Sequence, residues 1–251
     1  MRTVGVDLAA EPKKTAVAVI AWSERVARID SLHVGVGNAE IIEAVSGSDR
    51  AGIDSPFGWP DAFVRFLIEH DSGTLAGTND LARRDGRRPL TMRRTDLHVR
   101  ESTGLSPLSV SADRIAHVAL RCAGLLAELR KHGIEVNRVE GRAVEVYPAA
   151  ALRGWGLPAR GYKGREKRAV LTELVDRFIA LAPWLDFGDL APLLCRESDD
   201  AFDAVVAAVV ARAAALGRTE LPADTDRAAA EREGWIHLPN SDLDALRGTR
   251  I

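Results

Sequence analysis

Four acidic residues stand where a fold seldom tolerates them. Asp7 closes the apolar stretch Thr3-Val4-Gly5-Val6-Asp7, Asp54 closes Ala51-Gly52-Ile53-Asp54, and Asp200 and Asp203 open a run rich in alanine and valine. A carboxylate at the end of a buried strand must find a cation, a hydrogen-bond donor or a proton, because an unpaired charge in low dielectric is costly. Several of them converging form a site for a hard divalent ion. Magnesium or manganese takes one or two carboxylates, keeps waters and completes its shell with substrate phosphate oxygens. Two such ions about 4 Å apart can activate a water and stabilise the leaving oxygen of an in-line phosphoryl displacement. That chemistry needs three or four carboxylates from separate elements, and Asp7, Asp54, Asp200 and Asp203 are the candidate ligands and catalytic residues.

Each acid also has a plainer reading. Asp200 and Asp203, three apart on one helical face, are compatible with first-turn acids behind a Ser198 N-cap, where the helix dipole favours negative charge. Asp7 and Asp54 could equally be strand-end caps. Glu145, opposite Val144 and Val146 by strand alternation, is either an accessory ligand or an anchor for a cation such as Arg93, Arg94 or Lys163. Residues 83–100 carry seven arginines against two aspartates, a local excess of +5. Arg93 and Arg94 within that segment are candidate phosphate contacts, although an arginine run is also an ordinary solvated, salt-bridged loop. Trp59 could stack a base or simply pack its turn, and Lys163 could meet phosphate or balance the acids.

The elements that must position these groups are legible in the hydrophobic pattern. Residues 2–9, 15–22 and 25–34 read as three consecutive strands joined by short connections, an antiparallel meander. A helix over 39–45 and a strand over 50–54 follow, which implies a right-handed crossover and parallel pairing. Residues 55–110, punctuated by Pro56, Gly58 and Pro60, contain one short helix near 62–69 and otherwise read as an irregular insertion. An amphipathic helix starts at Asp113-Arg114 and stops before Gly133; 143–147 is a brief strand; helices occupy 164–181 and 199–216; and 234–239 is a short strand or packed arm. The class is α/β, a mixed sheet flanked by helices in a single domain spanning 1–251.

At 251 residues with a formal net charge of −2, the chain can bury a large core and carries no general basic coat, so any phosphate-binding surface is local. No apolar run has transmembrane length and no leader pattern is evident, so the expected location is cytoplasmic, with no membrane partner. Cys122 and Cys195 are far apart and the six histidines lack metal-ligand spacing, so zinc is not expected. The pattern leaves oligomeric state open.

Taken together, VGVDLA, IDSPFGWP, RRTD, EVYPAA, YKG and SDDAFDAVVAA resemble the family catalogued as domain of unknown function 429, from Val4 to Pro239. The last of these also looks like the final helix of RuvC-type junction resolvases. The resemblance implies an RNase H-like fold and a metal-dependent nuclease acting on DNA or RNA, with magnesium or manganese held by Asp7 and by Asp200 and Asp203. Asp54 corresponds to the acid after the fourth strand, a position where resolvases commonly carry glutamate. Two other readings compete. One is a phosphotransferase or nucleotide-binding protein of the actin and sugar-kinase group, for which the chain is short and lacks a convincing second glycine-rich loop. The other is a non-catalytic binding module that retains the fold.

Overall fold

In the computed structural model, which describes residues 1–24, 26–76, 81–112 and 114–248, the three apolar runs form β1 (Arg2–Asp7), β2 (Ala16–Trp22) and β3 (Ala27–Val34). They pair antiparallel in sequence, with a bulge between Val19 and Ile20. The helix α1 (Asn38–Ser46) then crosses to β4 (Arg50–Asp54), which lies parallel to β1. β5 (Ala143–Glu145) joins β4 in parallel, and the two-residue β6 (Leu185–Asp186) joins β3. The order in this six-stranded mixed sheet is β5-β4-β1-β2-β3-β6. Arg25 and Asp113, expected to begin a strand and a helix, lie outside the described residues.

Strand alternation sends Val4, Val6, Val17, Val19, Ala51 and Ile53 to one face, where α1 and α5 (Ile115–Lys131) cover them. Ala16, Ala18, Ile20 and Val144 point to the other face, against α9 (Asp199–Ala215). The helices α6 (Pro148–Gly154), α7 (Arg168–Leu181) and α8 (Ala191–Glu197) lie around α9. From Ala201 to Ala213 every residue of α9 is buried. A helix apolar on nearly every side, here with only Asp203 and Arg212 charged in the buried stretch, belongs inside a core, and α9 is the central one. Two glycines set how close it comes. Gly5 and Gly52 are partners across β1 and β4, and a Cβ on Gly5 would lie 2.0 Å from the carbonyl oxygen of Ala204. One on Gly52 would lie 2.5 Å from the carbonyl oxygen of Ala207. The helix backbone therefore rests directly on the strand backbones.

The insertion is more ordered than its sequence suggests. Besides α2 (Asp61–Asp71) it contains α3 (Arg84–Thr91) and α4 (Arg94–Thr103), which correct the expectation of an irregular segment. Gly86 and Pro89 in α3, and a nearly unbroken polar run in α4, hid both helices. Tertiary contacts supply what propensity lacks. The carboxylate of Glu233, on α10 (Asp224–Glu233), accepts from the backbone N–H groups of Asp61 at 2.8 Å and Arg94 at 2.7 Å. One buried anion thus ties down the first turns of two helices, where the dipole favours it. Ile236 in the tail makes a parallel bridge to Glu145, so residues 234–239 form a packed arm at the edge of β5. Among the described residues no helix is long and apolar enough to cross a membrane.

The close approach of α9 gives the first prediction. Gly5→Ala is expected to cost at least the upper part of the ~1–3 kcal/mol typical of overpacking, because backbone atoms cannot swing away as a side chain would. Gly124→Ala, an exposed position inside α5 with open space around it, should instead add about 1 kcal/mol. Urea midpoints of the two variants against the parent check both signs.

Candidate metal centre

β1 and β4 run parallel and in register, with Asp7 opposite Asp54. Both lie two residues beyond the paired glycines and so point to the face that α9 covers. Asp203 immediately precedes Ala204, whose carbonyl meets Gly5. The local geometry that seats the helix therefore also delivers its carboxylate to the strand ends. One oxygen from each of Asp7, Asp54 and Asp203 lies within 4.8 Å of the others. Asp203 is fully buried, whereas Asp7 and Asp54 are partly open.

Electrostatics follow from the crowding. Burial, then the charges of Asp203 and Asp54, push the Asp7 carboxyl well above the usual carboxylate range. Burial likewise lifts Asp54 to about 7, with Lys163 opposing and Asp203 adding to the rise. Among the described residues, no donor hydrogen-bonds to either side chain. Asp203 is better provided: the Tyr162 hydroxyl donates to its Oδ1 at 2.9 Å and the Lys163 ammonium lies 2.6 Å from its Oδ2. That contact holds the lysine protonated well above its ordinary value. Gly161 and Gly164, at φ +82° and +101°, flank Tyr162-Lys163 with left-handed backbone that side chains disfavour. The turn they permit presents both groups to Asp203.

The other candidates are placed differently. Asp200 is half-buried one turn before Asp203, outside the convergent trio, yet near enough to raise the Asp7 pKa further. Ser198 does cap the helix, accepting from the Ala201 N–H, so Asp200 also sits in a first turn that favours acids. Glu145 points to the opposite face of the sheet from Asp54, paired in register with Ile53. It anchors Arg93. The guanidinium donates to both Glu145 oxygens at 2.9 and 2.8 Å, and to Asp96 through Nη2 at 2.9 Å and Nε at 3.2 Å. The Phe57 N–H donates to Glu145 as well, at 3.0 Å.

Arg93, only 2% exposed, is therefore a buried structural cation and not the phosphate contact expected of it. Its five donors are consumed by Asp96, Glu145 and the Glu233 carbonyl, and the two carboxylates hold its pKa above even the normal arginine value against the effect of burial. Arg94 is exposed and pairs with Asp226 at 2.8 Å, which ties α4 to α10. Trp59 is partly buried in the turn before α2, with no aromatic partner among the described residues. Tyr162 was missed by sequence reasoning; its place beside Lys163 between two glycines was the available signal.

Three carboxylates from three elements are a hard, anionic oxygen set of the kind that magnesium and manganese take, and unlike the nitrogen and sulfur sets of zinc. The donor set fits the expected ion. Lys163 supplies one positive charge against three carboxylates, so it offsets the cluster only in part.

The chain belongs to the family described as protein of unknown function (DUF429), whose family model matches residues 5–227. No curated protein and no solved structure matches it significantly.

Two predictions arise here. Asp54 binds its proton more tightly folded than unfolded, so without a cation its contribution makes the protein less stable as pH rises from the ordinary aspartate range towards about 7. Asp54→Asn should remove that part of the pH dependence and gain on the parent over the same interval; for the same reason Mn2+ affinity of the parent should increase through about pH 7, read by calorimetric titration. Separately, Arg93→Ala leaves Glu145 and Asp96 buried without their cation. It is expected to destabilise by about 3–5 kcal/mol in chemical denaturation, with Arg93→Lys only partly restoring stability because a single ammonium cannot reproduce the fork.

Proposed function

We propose that this protein is a divalent-metal-dependent phosphodiesterase acting on nucleic acid, built on an RNase H-like fold. The observation that carries the reading is the meeting of Asp7, Asp54 and Asp203 at the carboxyl ends of two parallel strands and the start of the central helix. The sheet order β5-β4-β1-β2-β3, antiparallel over the first three strands and parallel thereafter, supports the fold assignment. Ligands of open α/β sheets gather outside the carboxyl ends of parallel strands, which is where the trio lies.

In this reading Asp7, Asp54 and Asp203 hold magnesium or manganese, with Asp200 serving a second ion. Bound there, such an ion polarises a phosphoryl oxygen and lowers the pKa of a water. The chain contributes placement and charge. Asp7 and Asp54 are fixed by strand register, and Tyr162 orients Asp203 through its hydroxyl. Lys163 is 54% exposed on a flexible stem, so its ammonium can swing between Asp203 and a phosphate bound beside it.

A non-catalytic binding module is the second reading, favoured by that same lysine already resting on Asp203. Mn2+ titration together with cleavage of a panel of single- and double-stranded DNA and RNA separates the two. Asp7→Asn, Asp54→Asn and Asp203→Asn are each expected to reduce metal-dependent hydrolysis by more than the ~100-fold typical of losing an outer partner of a metal ligand. Asp200→Asn should cost less. Metal binding without cleavage of any member of the panel would select the binding module, and failure to bind Mn2+ would end the metal reading altogether.

A further inference from the structure

Next to the acid trio lies a cavity of about 420 Å³ that none of the preceding assignments uses. Asp54 and Lys163 belong to its boundary, so it opens onto the candidate metal centre. Its remaining walls are mainly apolar, supplied by Pro107, Leu108, Ile115, Ala159 and Ile236 with the ring of Tyr147. Leu108 is 49% exposed, a large apolar side chain held against a concave space. The buried pair Arg93 and Glu145 also contributes, but the two groups satisfy each other and present no net charge.

The charged groups that remain are Asp54, Lys163 and Arg160, and all three act on the Tyr147 hydroxyl. Burial raises its pKa, Asp54 adds to the rise, and Lys163 and Arg160 oppose it. Arg160 is exposed and makes no ion pair among the described residues. Apolar walls, an aromatic ring, two cations and the edge of a carboxylate site together select an amphiphilic anion: a flat, weakly polar body carrying a phosphate. The volume is in the lower part of the range of about 300–1,000 Å³ that encloses small ligands. It can house one nucleotide and cannot admit a base-paired duplex.

We infer that this cavity receives a single unpaired nucleotide, its base against Tyr147 and Leu108 and its phosphate between Arg160, Lys163 and the Asp54 edge. As a statement about cleavage the inference rests on the phosphodiesterase reading, and it narrows the substrate to strand ends and unpaired nucleotides. Bases inserted into such pockets are held by stacking on aromatic and apolar side chains, which tolerates any base.

The test is calorimetric binding of adenosine 5′-monophosphate, cytidine 5′-monophosphate and ribose 5-phosphate to the full chain, with and without Mn2+. Both nucleotides should bind about tenfold or more tightly than ribose 5-phosphate, the lower part of what base stacking contributes. Leu108→Glu should abolish that preference, and Arg160→Ala should weaken all three ligands. Equal affinity for nucleotide and sugar phosphate, or a preference that survives Leu108→Glu, overturns the inference. Because the preference is read in both metal conditions, it stands or falls separately from Mn2+ binding itself. Circular dichroism and the retained Mn2+ isotherm of each variant distinguish a blocked pocket from a lost fold.

Discussion

The contact between the backbone of α9 and the backbones of β1 and β4 governs this molecule. It exists because Gly5 and Gly52 face each other across parallel strands and present no side chain to the helix. Small residues on the side of the helix that meets the strands, Ala204, Ala207 and Ala208, complete the fit. Two residues further along each strand, on the same face, come Asp7 and Asp54; one residue before the seated part of the helix comes Asp203. Bulkier residues at the glycines would lift α9 and carry Asp203 away from the strand ends. The acid trio is thus a consequence of packing distance as much as of acidic residues.

Two clusters of buried acids show what a cation's chemistry decides. On one face of the sheet, Glu145 and Asp96 share Arg93, whose planar fork matches both carboxylates and leaves no donor unused. That arrangement is closed, and it fixes the inserted helices to the sheet. On the other face, Asp7, Asp54 and Asp203 have one lysine beside them among the described residues, and its ammonium pairs with Asp203. Among the described residues no donor reaches Asp7 or Asp54, and burial, with Asp203 adding to it, raises the pKa of both. In the first cluster the arginine fork bonds both carboxylates; the second keeps more carboxyl groups than the one ammonium beside it can pair. Strand alternation separates the two, for Glu145 and Asp54 stand on neighbouring strands but turn to opposite faces.

The insertion connects both clusters to the cavity. Glu233 and Arg93 clamp the start of α4, and the segment after that helix brings Pro107 and Leu108 to the cavity wall. The tail contributes Ile236 from the bridge to Glu145. Elements distant in sequence therefore close a space over the strand ends, where the first four strands alone would leave an open face.

Much of this was legible in the chain. Period-two alternation and turn residues located β1 to β4, and the alanine-rich run behind Ser198 located α9, because these signals are local and strong. Asp7, Asp54, Asp200 and Asp203 all stood out, because a carboxylate at the end of an apolar run needs a partner. The helices α3, α4, α6, α8 and α10 escaped, since they are short or polar, and the start of α4 is held by Glu233, a residue distant in sequence. What the sequence determined by itself was a set of acids at the ends of buried elements and the periodicities that order those elements. Only the tertiary structure decided which acids meet. Asp203 is buried beside the strands while Asp200 stays at the rim, and Arg93 goes to a structural pair while Lys163 reaches the open cluster. Sequence spacing fixes the face on which a side chain emerges; the depth of that face, and the counter-charge waiting there, depend on how closely two backbones can approach.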